Sequence, residues 1–258
     1  MATYLDRIVA RHREVAAADL RSVDALLTVT RGAAATRGFR RALTAQPGLS
    51  VIAEIKRRSP SRGDLGVDLD AADVAAGYAA GGAACLSVLT DVEFFGGSIA
   101  DLQVARAACA LPVLRKDFTV DVRDVVDARL VGADAVLLIA VALDAPQLVE
   151  LHDLAVDVGL DVLVEVHDEA ELEVAMSAGA TLVGVNQRDL TTFQIDHDRA
   201  ARMATAIPAG VVKVAESGIR NSEDARRLAA AGYDAILVGE TLVTAPDPAA
   251  AVRALLHP

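Results

Sequence analysis

The chain has 258 residues, a hydrophobic fraction of 53% and a formal net charge of −11. This length suits one large α/β barrel or two small domains, and the apolar content is enough for a sizeable core. The acidic balance disfavours non-specific binding to nucleic acid or to an anionic membrane. An anionic small molecule would therefore have to be met by a local arrangement of positive groups.

The sequence indicates neither a targeting segment nor a membrane span. Residues 1–7 are amphipathic and charged and lack the apolar region of a signal peptide. The longest apolar run, residues 135–143, is about half the length needed to cross a bilayer. Cys85 and Cys109 form neither a disulfide framework nor a metal-ligand spacing. We therefore expect a cytoplasmic protein.

Residues 1–45 predict an N-terminal helical extension. Apolar residues recur there on one helical face, at Leu5, Ile8, Val9 and Val15. We expect this extension to pack on the catalytic barrel formed by residues 46–258, so that the whole chain is one domain.

Eight short apolar runs follow, with helical stretches between them. They predict strands at residues 51–56, 85–89, 112–115, 135–139, 162–165, 182–186, 211–216 and 235–238. Several runs are almost continuously apolar, as is typical of parallel strands covered on both faces. Successive strands start roughly 20 to 35 residues apart, which leaves room for a crossover helix each time.

A glycine repeat supports this strand count. Alanine-rich helices end just before the second, fourth, sixth and eighth predicted strands, at Gly82, Gly132, Gly179 and Gly232. Glycine is the usual left-handed residue at the end of a helix. Eight strands with this period predict a single (β/α)8 TIM barrel of the α/β class. The alternative, a doubly wound open sheet, would usually carry a glycine-rich fingerprint after its first strand, where this chain has Lys-Arg-Arg-Ser-Pro-Ser.

Polar residues concentrate at the C-terminal ends of the predicted strands, where barrels of this kind carry their active sites. The set comprises Glu54, Lys56, Arg115, Lys116, Asp117, Glu165, Asn186 and Glu216. A charge inside a barrel costs several kcal/mol unless it is paired or hydrated, so this convergence is hard to explain by packing. The alternative is that Glu54–Lys56 and Lys116–Glu165 are structural ion pairs near the surface.

Only three of the 25 basic residues are lysines, and two of them belong to this polar set. An ammonium group can donate its proton and titrate when it is desolvated, whereas a guanidinium group effectively cannot. Lys56 and Lys116 are therefore candidate acid–base groups. Lys213 lies on the strand face opposite to Glu216, and we expect it to be structural.

Two loops predict a phosphate site. Residues 217–222 begin with Ser217 and Gly218 after the seventh strand, and residues 239–242 begin with Gly239 and Glu240 after the eighth. Glycine lets backbone N–H groups approach an anion, and a short helix adds partial positive charge at its N-terminus. The loops after these two strands are the usual phosphate position of such barrels.

The aromatic and histidine residues complete the candidates. Four phenylalanines fall in loops on the catalytic face: Phe94, Phe95, Phe118 and Phe193. They suggest a substrate with a flat apolar part, and ordinary anchoring of loops is the alternative. The five histidines form no ligand pattern, His167 is expected at the surface or at the start of a helix, and we predict no metal.

Taken together, the motifs resemble those of the indole-3-glycerol phosphate synthase family. They occur in order at residues 53–63, 87–91, 94–98, 114–118, 164–167, 184–190, 215–219 and 237–240. The resemblance implies a carboxy-lyase of tryptophan biosynthesis that closes an indole ring with loss of CO2 and water. Its substrate would be 1-(2-carboxyphenylamino)-1-deoxyribulose 5-phosphate, and its product indole-3-glycerol phosphate. The resemblance implies no cofactor, and we expect a monomer, with weak association with other pathway enzymes left open.

The resemblance also assigns roles to individual residues. Lys116 would be the general acid at the carbonyl oxygen during ring closure, and partial burial should bring its pKa nearer the working pH. The dehydration would fall to Glu165 and Lys56, with Glu54 and Asn186 orienting and polarising. The expected substrate-binding residues are Glu216, Arg188, Ser59, Phe94, Phe95 and Phe118, and the expected phosphate-binding residues are Lys56, Ser217, Gly218, Gly239 and the backbone of Glu240.

Two other hypotheses fit the same residues. A phosphate-binding isomerase or aldolase would use Lys116 or Lys56 as the nucleophile of a Schiff base. A barrel that binds a metabolite without catalysis would be marked by a broken catalytic set, and here the set is complete.

Overall fold

The computed structural model describes residues 3–60 and 62–256, and in this part of the chain eight parallel strands close a barrel. Ser61 of the first motif and His257 lie outside the described residues. The strands are β1 (Ser50–Ile55), β2 (Cys85–Leu89), β3 (Val113–Lys116), β4 (Ala135–Ile139), β5 (Asp161–Val166), β6 (Leu182–Asn186), β7 (Val212–Glu216) and β8 (Ala235–Val238). Strand β8 pairs with β1, Ser50 opposite Ala235, so the predicted barrel is confirmed and the open sheet is wrong.

Helices precede, separate and follow these strands. They are α1 (Tyr4–Ala18), α2 (Val23–Thr30), α3 (Phe39–Leu43), α4 (Ala71–Gly81), α5 (Ile99–Ala108), α6 (Val122–Leu130), α7 (Ala145–Asp157), α8 (Glu169–Ser177), α9 (Arg199–Met203), α10 (Ser222–Ala230), α11 (Glu240–Val243) and α12 (Pro248–Leu256). A small antiparallel hairpin, Arg58–Ser59 with Gly63–Asp64, follows β1. No helix within residues 3–60 and 62–256 has the length and apolar character needed to span a membrane.

The alternation of side chains along each strand separates two hydrophobic clusters. In β1, Val51, Ala53 and Ile55 belong to the cluster that includes the outer helices. Ile52 faces inward and belongs to a second cluster with residues of the other strands, such as Leu114 and Leu163. A parallel strand covered on both faces has to be apolar at nearly every position, which is why the continuous apolar runs marked the strands so closely.

The predicted glycine caps are confirmed and extend further than the repeat suggested. Left-handed φ angles of +93°, +94°, +82° and +88° occur at Gly82, Gly132, Gly179 and Gly232. Glycines before β5 and β7 adopt the same conformation, with +84° at Gly159 and +89° at Gly210. Because an L side chain rarely adopts this conformation, the turn into most strands depends on glycine.

Helix α1 of the extension packs on the barrel through one face. Leu5, Ile8 and Val9 are buried, as expected, and Leu5 and Val9 belong to the outer cluster. The prediction for Val15 is wrong, because its side chain is 53% exposed. At 3.6 residues per turn Val15 lies roughly 80° around the helix from Leu5, at the margin of the buried face.

Helix α3 closes the barrel at the N-terminal ends of the strands. Phe39 and Leu43 are 0% and 1% exposed and belong to the inner cluster. Just before the helix, the backbone N–H of Arg37 donates to Asp134 Oδ1 at 2.7 Å. The boundary at residue 45 between the extension and the barrel stays a prediction, since residues on both sides of it pack in the same hydrophobic cluster.

Asp134 ties the extension, α5 and β3 together. It is fully buried, and besides the Arg37 N–H it accepts bonds from the Arg106 guanidinium and from the backbone N–H of Val113 at 2.8 Å. Removing one partner of a buried ion pair leaves the other charge without compensation.

We expect Asp134→Ala to lower the free energy of unfolding by roughly 3 to 5 kcal/mol, because Arg106 and two buried N–H groups lose their acceptor. Denaturant unfolding of the variant and its parent measures this difference. Asp134→Asn is the matched control, since it keeps the volume and one acceptor oxygen, and it should lose less. Equal stability of Asp134→Ala and the parent would contradict the assignment.

Candidate active site

A cavity of about 680 Å³ lies at the C-terminal ends of the strands. Its floor is made of inward side chains of the strands, Leu137, Ile139 and Leu237 among them. The polar residues that line it include Glu54, Lys56, Ser59, Lys116, Asp117, Glu165, Asn186, Arg188, Glu216 and Ser217, and also Arg62, His197, Arg220, Glu240 and Thr241. Nearly all of the polar set predicted at the strand ends thus lies around one cavity.

Lys116, at the end of β3, is the centre of a buried charge cluster. Its Nζ donates to Glu165 Oε2 at 3.0 Å and lies 3.6 Å from Glu216 Oε2. Glu165 also accepts a 2.8 Å bond at Oε1 from the side-chain amide of Asn186. Glu165 and Glu216 are 1% and 2% exposed, so this cluster is buried rather than the surface ion pair considered as an alternative.

The expectation that burial brings the pKa of Lys116 toward neutrality is wrong for the free protein. Burial does lower it, but the charges of Glu165, Glu216 and Glu54 outweigh burial, and the pKa of Lys116 is raised. Lys116 is therefore a fully protonated ammonium at neutral pH. The same contacts act on Glu165, where Lys116, His167 and Asn186 overcome burial and lower the pKa.

Glu216 shares Lys116 with Glu165 but is in a different protonation state. Burial raises the pKa of Glu216 to about 8, and the charges of Glu165 and Glu54 add to the shift that Lys116 opposes. Its Oε1 is buried and has no hydrogen-bond partner among the described residues. Near pH 7 Glu216 is mostly a neutral carboxyl group, which can donate as well as accept a hydrogen bond.

A glycine on the neighbouring strand leaves room for this carboxyl group. Gly184 of β6 lies beside Glu216, and a Cβ atom at that position would collide with Glu216 Oε1. Gly239, after β8, does the same for Glu54 and Lys56, whose atoms a Cβ would overlap. Lys56 Nζ and Glu54 Oε1 are 2.5 Å apart, a second ion pair beside the first cluster.

The two loops expected to bind phosphate meet beside the Glu54–Lys56 pair. Ser217 and Gly218 have consecutive left-handed φ angles of +68° and +74°. The loop after β8 leads directly into α11, where the N–H groups of Glu240 and Thr241 precede the first backbone bond of the helix, from Leu242 to the Gly239 carbonyl. Thr241 Oγ1 donates to the carbonyl of Ile219 at 2.8 Å and joins the two loops. The Glu240 carboxylate is paired with Arg62 at 2.8 Å, so the backbone of Glu240 is the part available to an anion.

The remaining expected binding residues surround the mouth, with one exception. Arg188, Ser59, Phe95 and Phe118 line the cavity, and so does Phe193. Phe94 does not line it. Its ring instead packs edge-on against Tyr4 of α1, with centroids 5.7 Å apart, because the chain from Asp91 to Phe95 turns this side chain toward the extension.

Two charged residues considered in the sequence analysis, Arg115 and Lys213, are not among the residues that line the cavity. Arg115 alternates with Lys116 along β3 and bonds Thr90, Asp117 and the carbonyl of Asp124. Lys213 Nζ donates to the carbonyl of Ala204 at 2.6 Å, in agreement with the structural role expected for it.

Sequence reasoning missed the part of the extension that covers the cavity. Tyr4, Leu5 and Ile8 of α1 line its mouth, and the Tyr4 ring also contacts Phe193, with centroids 5.3 Å apart. The apolar face of α1 was visible in the sequence, but a helical pattern does not say which part of the barrel it covers.

Two histidines contact carboxylates at or near the site, which the sequence did not suggest. His12 of α1 lies 3.0 Å from Asp91 and 3.7 Å from Asp117, a grouping whose geometry resembles a metal site. The Asp91 and Asp117 oxygens already accept bonds from Phe94, Phe95, Thr90 and Arg115, so the contact fastens α1 to the barrel. His167 lies at the start of α8 as expected, but its side chain is only 11% exposed and lies against Glu165.

The closed barrel with an ammonium, several carboxylates and two anion-binding loops at the strand ends defines an enzyme of the (β/α)8 class. A family model described as indole-3-glycerol phosphate synthase matches residues 5–255. The chain therefore belongs to the indole-3-glycerol phosphate synthase family, enzymes of tryptophan biosynthesis. Curated relatives of that name are 56% identical over 80% of this chain and 79% of the relative in a Nocardioides species, and 49% identical over 92% of both in Streptomyces coelicolor.

Solved structures with low identity share the fold. A 3-hexulose-6-phosphate synthase aligns with a TM-score of 0.62 at 17% identity, over 80% of this chain and 98% of that one. A thiamine phosphate pyrophosphorylase from Pyrococcus furiosus aligns with 0.60 at 18% identity, over 80% and 93%. At such identities the likeness concerns the barrel alone.

The protonation of Glu216 makes the stability depend on pH. Its pKa in the folded protein is raised above the ordinary value of 4.5, so its contribution to stability is complete below pH 4.5 and is lost as the pH rises through about 8. We expect Glu216→Gln, which cannot ionise, to remove this loss and to exceed the parent in stability at pH 9 by on the order of a few kcal/mol. Denaturant unfolding at pH 5, 7 and 9 measures the difference, and parallel pH dependences of variant and parent would rule the assignment out.

Proposed function

We propose that this chain converts 1-(2-carboxyphenylamino)-1-deoxyribulose 5-phosphate to indole-3-glycerol phosphate and is thus a carboxy-lyase. The observation that carries the proposal is the buried Lys116 ammonium held by Glu165 and Glu216 at the floor of a cavity whose rim presents two anion-binding loops. This substrate has a phosphate, a carboxylate on a flat ring, and a ketone that must gain a proton as carbon attacks it. Each of these features has a counterpart among the cavity residues.

Ring closure needs an acid at the ketone oxygen, and Lys116 supplies it. As the ring carbon that bears the carboxylate bonds to the ketone carbon, the ketone oxygen takes a proton from Nζ and becomes a hydroxyl group. The carboxylate then leaves as CO2, and its bonding electrons restore the aromatic ring. The raised pKa of Lys116 in the free protein ensures that the proton is present when substrate binds.

Loss of water completes the indole. The new hydroxyl group must gain a proton to leave as water, and the adjacent CH2 carbon, which is bonded to the ring nitrogen, must lose a proton as the carbon–carbon double bond forms. Glu165, ionised in the free protein, serves as the base, with Asn186 fixing its orientation through the 2.8 Å bond. Lys56 serves with it in the acid–base steps, and Glu54 orients Lys56 across their 2.5 Å contact.

The remaining cavity residues bind the substrate. Glu216, with its neutral carboxyl group, bonds a sugar hydroxyl group, and Arg188 faces the carboxylate region. Lys56 and the backbone of Ser217, Gly218, Gly239 and Glu240 hold the phosphate. The flat ring packs against Phe95 and Phe118 beside Ser59, while Phe94 acts from outside through Tyr4. We further propose that the protein is cytoplasmic and monomeric, and sedimentation of the purified protein tests whether it is a monomer.

The competing Schiff-base reaction makes a different use of the same lysine. It needs a neutral amine as nucleophile, whereas the carboxylates around Lys116 favour the ammonium form. Borohydride added with substrate traps a Schiff base as a stable adduct. We expect no increase in mass, and a covalent adduct on Lys116 would overturn the general-acid assignment.

We expect Lys116→Arg to lose roughly 10²- to 10⁴-fold in turnover while it still binds substrate, because a guanidinium keeps the charge but does not release a proton. The measurement is the appearance of indole fluorescence after addition of the anilino-deoxyribulose phosphate. Lys213→Arg is the matched control, since this lysine is not among the residues that line the cavity and its Nζ donates to the carbonyl of Ala204. Near-normal turnover of Lys116→Arg would mean that charge alone is required, and an inactive parent between pH 6 and 9 would sink the proposed function.

The phosphate assignment predicts an effect on binding. Gly218→Ala forces a side chain into a left-handed position, where its Cβ would approach Ile195 to 2.7 Å and displace the loop. We expect KM to rise about tenfold or more and inhibition by inorganic phosphate to weaken, with a smaller change in kcat. Gly210→Ala, with φ of +89° and open space around it, introduces comparable backbone strain away from the cavity and is the control. Equal KM values for both variants would argue against a phosphate at this loop.

A further inference from the structure

The carboxylate of Glu165 has a third neighbour besides Lys116 and Asn186. His167 follows β5 directly and places its Nε2 3.7 Å from Glu165 Oε1. This is beyond hydrogen-bond distance, and Nε2 is a buried atom with no hydrogen-bond partner among the described residues. An unpartnered ring nitrogen thus faces the base of the proposed reaction.

The other side of the imidazole ring is held firmly. Nδ1 lies 3.0 Å from Glu171 Oε2, and the same oxygen accepts the backbone N–H of His167 at 2.8 Å. Asp168, the N-cap of α8, accepts the Glu171 N–H at 2.9 Å and fixes the first turn that carries this carboxylate. An ionised carboxylate only accepts hydrogen bonds, so Nδ1 carries a hydrogen and the ring orientation is set.

With Nδ1 protonated, the charge on the ring depends on Nε2. In a neutral ring Nε2 would turn a lone pair toward the Glu165 carboxylate, whereas in an imidazolium it turns an N–H toward it. The charged groups that act on the ring are Glu171 of α8, Glu165 of β5 and Arg199 of α9. Burial and Arg199 lower the pKa of His167, but the bond to Glu171 and the charge of Glu165 outweigh them and raise it.

We propose that His167, anchored by Glu171, is a positioning residue that holds Glu165 ionised and aimed at the substrate. The three groups form a row of carboxylate, imidazole and carboxylate. Glu171 orients the imidazole ring, and the ring in turn holds the orientation and the charge of the Glu165 carboxylate. The inference rests on the proposed function for the part played by Glu165. The coupling between His167 and Glu165 is a property of the free protein and is measured without substrate.

The coupling is tested first by NMR titration of the histidine ring nitrogens. We expect His167 to titrate above its ordinary value of 6.5, and we expect Glu165→Gln and Glu171→Gln each to lower that midpoint. A midpoint of His167 that stays the same in Glu165→Gln would overturn the proposal, whatever the activity of the enzyme.

The second measurement is the pH profile of kcat/KM in the synthase assay. Without the imidazolium the pKa of Glu165 rises, so the acidic limb for His167→Gln should move up by about one pH unit. We expect kcat to fall about tenfold or more while KM changes by less than about threefold. Glu171→Gln should give the same pattern with a smaller loss, because the ring stays but loses its anchor.

A matched control separates positioning from packing. His152 of α7 is likewise buried, at 7% exposure, and lies outside the cavity, so His152→Gln reports the cost of losing a buried histidine. A His167→Gln variant that loses stability like His152→Gln but keeps the parent's pH profile and kcat would show a purely structural residue and overturn the proposal. An inactive parent would instead count against the proposed function, and the NMR titration would still decide on the coupling.

Discussion

The burial of one ammonium among several carboxylates is the constraint on which the rest of the site depends. Lys116 and its partners Glu165 and Glu216 lie where water reaches poorly, and isolated charges there would cost several kcal/mol each. Pairing offsets that cost only if the total charge stays balanced. The cluster achieves this balance because Lys116 and Glu165 remain charged while Glu216 takes up a proton.

The barrel supplies the geometry that makes this balance attainable. Hydrogen bonding between neighbouring strands places their last residues side by side, as with Asn186 and Glu216. Side chains from different strands therefore converge at fixed distances. Gly184 and Gly239 contribute by having no side chain, which leaves the volume that the carboxylates fill. At the opposite end of the strands, Asp134 and helix α3 close the barrel, so the machinery for stability and the machinery for chemistry lie at opposite ends.

Much of the fold and of the candidate site could be predicted, because both depend on local patterns. Continuous apolar runs marked each strand, since a parallel strand is covered on both faces, and strand parity placed Glu54 and Lys56 together. The direction of the pKa shift of Lys116 could not be predicted, because it depends on which of two opposing effects is larger, and that requires distances to Glu165 and Glu216. The cover that Tyr4 provides was missed for a related reason: it arises from a contact between segments far apart in the chain.

The protonation pattern of the free site also bears on how a doubly anionic substrate can enter an acidic protein. Lys56, Lys116 and Arg188 face the cavity. Glu54 forms an ion pair with Lys56, and Glu165 forms one with Lys116. Were Glu216 ionised as well, a third negative charge would face the anionic substrate. Its burial prevents this near neutral pH, so the cavity retains the positive charge of Arg188 and the partial charges of the loops after β7 and β8. A neutral Glu216 is therefore as much a condition for binding the anion as any of the groups that contact it.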